Sequence, residues 1–242
     1  MASQASAAPR KGYVADFERR VDEVKISKSD LNALVMNYLI NEGYQAAALN
    51  FSKEANISPQ VSWSLMDERI QIRENIHKGN IQLAIERINE LHPDILDTDP
   101  SLHFSLLRLQ LIELIRKCTS TPDGDITLAL DFATAHLAPR AAGDPSFLED
   151  LERTMALLCF PRDNLAAPLA ELMDPALRRR IAARVNEAIL EAQGMQKEPK
   201  IRSLVRLRAW SEEYLRNEKK TDLPELRLGF EDEPRGADHV MT

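Results

Sequence analysis

The segment PSLHFSLLRLQLIELIRKC, residues 100–118, decides the fold class. Asp99-Pro100 opens it as a helix cap followed by a proline at the first helical position, where a missing N–H costs nothing. Leu102, Phe104, Leu106, Leu107, Leu109, Leu111, Ile112, Leu114 and Ile115 leave almost no polar face. A helix that is apolar all round is a buried centre, so other helices must pack around it.

Working outward, the flanking segments carry helix punctuation. Upstream, Asn80 caps a helix with Ile81, Ala84, Ile85 and Ile88, closed by Pro93. Before it, Ser58-Pro59 opens a longer helix carrying Leu65, Met66, Ile70, Ile72, Arg73 and Ile76 and stopped at Gly79. Further upstream, Ser29 caps a segment with Leu31, Leu34, Val35, Tyr38 and Leu39 on one stripe, and Gly43 follows its end. A short helix with Tyr44, Ala47, Ala48 and Phe51 inward comes next.

Downstream, the break from Thr119 to Asp125 holds Pro122 and Gly124. Helices are then predicted over Ile126 to Leu137 and Phe147 to Phe160, with a loop at 139–145 between them. Asp174-Pro175 opens another, with Leu177, Ile181, Val185 and Ile189 four apart, ended near Gly194. The last, Lys200 to Lys219, carries Leu204, Leu207, Trp210 and Tyr214. No strand of four alternating residues survives, so the expected fold is all-α with about nine or ten helices.

Composition agrees. The 242 residues are 44% hydrophobic and 29% charged, which excludes a disordered chain or a collagen. Leu (32) and Ala (28) far outnumber Val (8) and Thr (8), and that bias favours helix over strand. The longest unbroken apolar run, Met155 to Phe160, is far short of a bilayer span. Residues 1–24 read as a flexible leader with a short helix around Val14 to Val24, and the stretch Met1 to Arg20 lacks the apolar region of a secretory signal. Residues 219–242 read as an acidic tail, with Leu223, Leu226, Leu228 and Phe230 as docking candidates.

A net charge of −7 argues against duplex nucleic acid or anionic lipid as the main partner, because both need a basic face. Arg178, Arg179, Arg180 and Arg184 cluster, but acidic residues flank them, so they read as a solvated helix face. Cys118 and Cys159 read as reduced core thiols of a cytosolic or nuclear protein. Zinc is not expected: a structural site needs four Cys or His ligands at close spacing, and His77, His92, His103, His136 and His239 are scattered. No nucleophile elbow, no Gly-rich phosphate loop and no catalytic constellation is found, and no cofactor or small-molecule substrate is expected.

What remains is surface for partners. Two short helices over residues 27–57 bury too few apolar groups to stand alone. They either pair with a similar hairpin or dock on their own chain.

The residues of that hairpin resemble a known motif. Leu31, Leu34, Val35, Tyr38, Leu39, Gly43, Tyr44, Ala47, Ala48, Phe51 and Glu54 follow the pattern of the LisH dimerisation hairpin, with Ala47 where relatives often have Thr. Met66-Asp67-Glu68-Arg69, His77-Lys78-Gly79-Asn80, Ala84-Ile85 and Leu91-His92-Pro93 resemble the CTLH domain, as does the helix from Phe104 to Ile115. Leu128 to Ala133, His136 to Pro139, Glu149 to Phe160 and Asp174-Pro175 followed by Val185 to Leu190 look like a CRA domain. The boundaries this implies are LisH 25–59, CTLH 63–121 and CRA 122–218.

All three in that order, with little else, resemble the small scaffold subunit of the glucose-induced-degradation (CTLH) ubiquitin ligase, which has neither a RING nor a SPRY domain. The resemblance implies a non-catalytic subunit in cytoplasm and nucleus. Its partners would be other LisH–CTLH–CRA subunits, including a RING-bearing pair and a SPRY-domain subunit, and a substrate-receptor arm. In fungi that ligase marks gluconeogenic enzymes for the proteasome. The alternatives are a LisH adaptor of a cytoskeletal or transcriptional complex and, more remotely, an all-α enzyme with an unread site.

Overall fold

The computed structural model describes residues 19–20, 22–58, 61–120, 124–160 and 165–217. Among them every regular element is helical, as the composition predicts. The chain runs through α1 (Lys28–Glu42), α2 (Gln45–Ala55), α3 (Trp63–Lys78), α4 (Ile81–Leu91), α5 (Asp94–Thr98) and α6 (Pro100–Cys118). It continues through α7 (Thr127–Phe132), a π turn (Ala133–Leu137), α8 (Ala138–Ala141) and α9 (Pro145–Met155). The last elements are α10 (Ala167–Ala170), α11 (Ala176–Ala192) and α12 (Lys200–Asn217).

The described residues form two units, one of residues 32–200 and one in which residues up to 31 group with those from 201 on. In the first, α6 is the axle: Leu102, Phe104, Leu106, Leu107, Leu109, Leu111, Ile112 and Ile115 are all buried. Helices α4, α5, α7, α9 and α11 pack around it, and α3 packs along α4 and α11. The Phe104 and Phe147 rings stack with centroids 4.2 Å apart. The Asp99 carboxylate accepts from the Leu102 N–H at 2.8 Å, ahead of Pro100 at the first helical position, as the sequence predicts.

Several helix boundaries differ from those expected. Ser27, not Ser29, caps α1: its hydroxyl accepts from the Asp30 N–H at 3.1 Å and donates to the Asp30 carboxylate at 2.6 Å. Helix α3 starts at Trp63 behind Ser62 rather than at Ser58, and Pro59 lies outside the described residues. Pro93 closes α4 only for the chain to re-enter helix as α5, because φ near −60° suits a helix start as well as a stop. The predicted loop 139–145 is half helix, with Pro139 in the first turn of α8 and Asp144 capping α9 through the Ser146 N–H at 2.8 Å. Helix α10 was not predicted. Cys159 is exposed, not a core thiol, and Cys118 is half-buried. Of the leader, residues 19, 20, 22 and 23 are helical. Val24, the expected end of that helix, is exposed and not helical, and residues 14–18 and 21 and the tail 219–242 lie outside the described residues.

Candidate interaction surface

Helix α1 carries apolar side chains on every side, and the fold uses only some of them. Met36 and Ile40 are buried and join Ala48 of α2 and Met66 of α3 in a small core, against which Leu39, Phe51, Val61, Trp63, Ile70 and Met195 pack. Leu39 and Phe51 therefore belong in part to the chain's own packing. The remaining apolar side chains of the hairpin face out: Leu31 is 49% exposed, Val35 42% and Tyr44 51%. Leu34 and Tyr38 are half-buried, and the Tyr38 and Tyr44 rings lie 6.2 Å apart.

Two expected inward residues thus point outward. Tyr44 and Ala47 are exposed, and only Ala48 of the second helix is fully buried. Glu54 is exposed at the far end of α2. Gly43 sits at φ +78°, the left-handed cap that ends α1. A Cβ there would lie 3.2 Å from Ile70 Cγ1 and 3.3 Å from Arg73 Nη1, so glycine also allows α3 to come close.

The hairpin is fastened to the bundle by arginines of α3. Arg69 is only 1% exposed. Its Nη1 donates to the Asn41 carbonyl at 2.9 Å and to Asn186 Oδ1 at 2.6 Å, and its Nη2 to the Ile40 carbonyl at 2.5 Å. Arg73, one turn on, donates to the Glu42 carbonyl at 2.5 Å. Three carbonyls at the α1 C-terminus, of which Ile40 also accepts from the Gly43 N–H at 3.2 Å, are met by two cations of the sign the helix dipole favours. Burial, with the Arg73 charge adding to it and Glu42 opposing, draws the Arg69 pKa down to about 10, so it stays charged at neutral pH. The Asn41 side chain is buried beside this clasp with no hydrogen-bond partner for its own amide.

A second buried charge braces the far side of α3. Glu113 on α6, 6% exposed, accepts from Arg178 Nε at 2.8 Å and Nη2 at 2.6 Å, with Arg116 Nε at 3.6 Å. Arg178 Nη1 also donates to the His77 carbonyl at 3.1 Å, which ties the last turn of α3 to α11. That two-toothed pair raises the Arg178 pKa above its usual value.

Helix α12, in the other unit, has no buried residue and exposes Ile201, Leu204, Leu207, Trp210 and Tyr214. The Trp210 and Tyr214 rings stack at 5.7 Å. Among the described residues no group of three or more His, Cys, Asp or Glu could hold a metal ion. No helix of the described residues is long and apolar enough to cross a membrane.

The arginine clasp escaped sequence reading because a buried arginine has the same letter as a surface one. The only signal was its i, i+4 spacing from Arg73 just after the hairpin.

Residues 29–55 match the LisH family model, and residues 65–216 match the model described as the CTLH/CRA domain C-terminal to a LisH motif. The chain is 40% identical over 200 residues to the Arabidopsis thaliana protein GID8 homolog, covering 83% of this chain and 79% of that one. It is 42% identical over 201 residues to the Dictyostelium discoideum glucose-induced degradation protein 8 homolog, covering 83% and 85%. Against the Schizosaccharomyces pombe GID complex subunit 8 it is 40% identical over 199 residues, covering 81% and 83%.

Proposed function

The chain belongs to the GID8 family of LisH–CTLH proteins, and from that premise we propose that it is a structural subunit of a GID-type ubiquitin ligase complex, working through helical interfaces and not through a reaction of its own. The observation that carries this is the outward stripe of the hairpin, Leu31, Val35 and Tyr44 with Leu34 and Tyr38 beside them. Large apolar side chains left in water on a helix held rigid from behind are the arrangement a partner helix needs. Covering one such side chain contributes about 1.5–3 kcal/mol, and an interface of about 1,600 Å² needs only a few anchors of that kind.

On this reading the hairpin pairs with the hairpin of another LisH–CTLH–CRA subunit, and the helices of the second domain hold further subunits. The chain would then link a RING-bearing pair to a SPRY-domain subunit and the substrate-receptor arm. In a fungal cell the substrates would be gluconeogenic enzymes. The apolar face of α12 offers a second place for assembly.

Affinity capture of the chain from its own cells, as wild type and as the Leu31→Asp, Val35→Asp double variant, tests the proposal. Recovery of RING-bearing and SPRY-domain subunits by the wild type, with at least one lost from the variant, supports it. Wild-type chain recovered alone, or only with itself, would refute it.

A further inference from the structure

In a chain of net charge −7, the C-terminal end of α3 and the start of α11 gather positive charge. The sequence presents Arg178, Arg179, Arg180 and Arg184 as one run, and the fold separates their roles. Arg178 is bound to Glu113, and Arg184 reaches the Ser105 and Ser101 hydroxyls at 3.1 and 3.3 Å. Arg179 is exposed and makes no ion pair or hydrogen bond among the described residues.

It follows Arg178, whose Nη1 donates at 3.1 Å to the carbonyl of the exposed His77, and His77 lies one turn after Arg73 on α3. Burial, then Arg73, Arg179 and Arg178 in that order, holds the His77 pKa below its ordinary value. Arg73 donates to the Glu42 backbone carbonyl. The nearby carboxylates are taken: Glu113 serves Arg178 and Arg116, Glu74 pairs with Lys78 at 2.8 Å, and Asp174 accepts from the Ala176 N–H at 2.7 Å. The first turn of α11 contains no acidic residue.

We infer that this surface, formed by Arg73, His77 and Arg179, receives an acidic segment of a partner protein, whose carboxylates supply counter-charge to the Arg179 guanidinium, which has no ion pair among the described residues. Guanidinium forks match carboxylates two-toothed, and an exposed, unpaired one is free to do so. The patch spans only two helix ends and is bordered by Glu42, Glu74 and Glu113, whereas a nucleic-acid backbone needs a basic track along several phosphates. The inference rests on the chain working inside an assembly, as proposed above.

The test uses the full chain captured from its own cells, as wild type and as the His77→Glu, Arg179→Glu variant, both changes being at exposed positions. One subunit should fall at least about tenfold in the variant while those that depend on Leu31 and Val35 are retained, and the loss should be mimicked by raising salt. In the wild type, a zero-length carbodiimide should link the Lys78 amine to an Asp or Glu of that same subunit, and reversing that partner's charges should restore binding to the variant. Unchanged recovery of every subunit, no Lys78 link, or a nuclease-sensitive nucleic acid in place of the subunit overturns the inference. A wild-type chain that captures no ligase subunit overturns the proposed function instead, and this inference with it.

Discussion

The Arg69 guanidinium and the Asn186 side-chain oxygen meet at 2.6 Å across 117 positions of sequence. The same guanidinium holds the Ile40 and Asn41 carbonyls, so one buried side chain joins α1, α3 and α11. The LisH hairpin is therefore built into the bundle, and the direction of its outward stripe is set by residues that never reach the surface.

Replacing Arg69 by Met should leave the Asn41 carbonyl and the Asn186 oxygen short of a donor, while the Ile40 carbonyl keeps the Gly43 N–H at 3.2 Å. Each unsatisfied buried group costs about 1–3 kcal/mol, so a total loss of about 3 kcal/mol is expected in urea denaturation. Hydrogen exchange should show the hairpin amides losing more protection than those of α6. Equal loss in both would mean that Arg69 supports the whole bundle rather than fastening the hairpin.

Glu113→Gln should cost about 3 kcal/mol, because one buried carboxylate serves both Arg178 and Arg116 and its neutralisation strands their charge. The control is Glu149→Gln. Glu149 pairs with Arg153 at 2.6 Å on an exposed helix face, where about 0.5 kcal/mol or less is expected. Denaturation midpoints of the two variants should differ clearly, and similar midpoints would contradict the assigned role of burial.

Gly79 caps α3 at φ +82°, and a Cβ there would stand 3.0 Å from Arg178 Nη2 and 3.2 Å from Glu113 Oε2. Gly79→Ala combines the left-handed penalty of about 1–2 kcal/mol with displacement of a buried ion pair. In the Glu113→Gln background the same change should cost less, since the pair is already weakened. A double-mutant cycle in thermal unfolding reads the difference, and full additivity would show that Gly79 and the pair are independent.

Acidification should destabilise the chain through His77 and His103. Burial lowers both pKa values, helped at His77 by Arg73, Arg179 and Arg178 and at His103 by Arg140, with the Leu96 backbone and Asp97 opposing at His103. The unfolded state then binds these protons more readily, so stability is full above the ordinary value of 6.5 and declines as pH falls through it towards the lower folded values. The urea midpoint should drop between about pH 7.5 and 5.5, and His103→Asn should flatten part of that slope. A slope unaffected by the substitution would contradict the assignment.

How much of this the sequence discloses depends on what each residue's letter can encode. The axle α6 is legible because apolar side chains on nearly every face leave no alternative to burial. The hairpin is legible as a motif but not as a surface. Periodicity puts Leu31, Leu34, Val35, Tyr38 and Leu39 on one stripe of α1, but it does not show that the chain buries Met36 and Ile40 on the other side and leaves Leu31 and Val35 in water. Tyr44 and Ala47, expected inward, are exposed, since Ala48 is the residue α2 buries. Arg69, Asn186 and Glu113 were invisible, because buried polar partners are defined by contacts between distant segments. The π turn at Ala133–Leu137 and the short helices α5 and α10 are settled by packing on α6 and α11 more than by local propensity.

The central claim is that Leu31 and Val35 serve a partner and not the fold. The most direct measurement is quantitative mass spectrometry of what the full chain captures from its own cells, wild type against Leu31→Asp, Val35→Asp, with circular dichroism of both purified chains. The account predicts unchanged helicity together with loss of at least one RING-bearing or SPRY-domain subunit. Collapse of helicity, or capture identical to wild type, would contradict it.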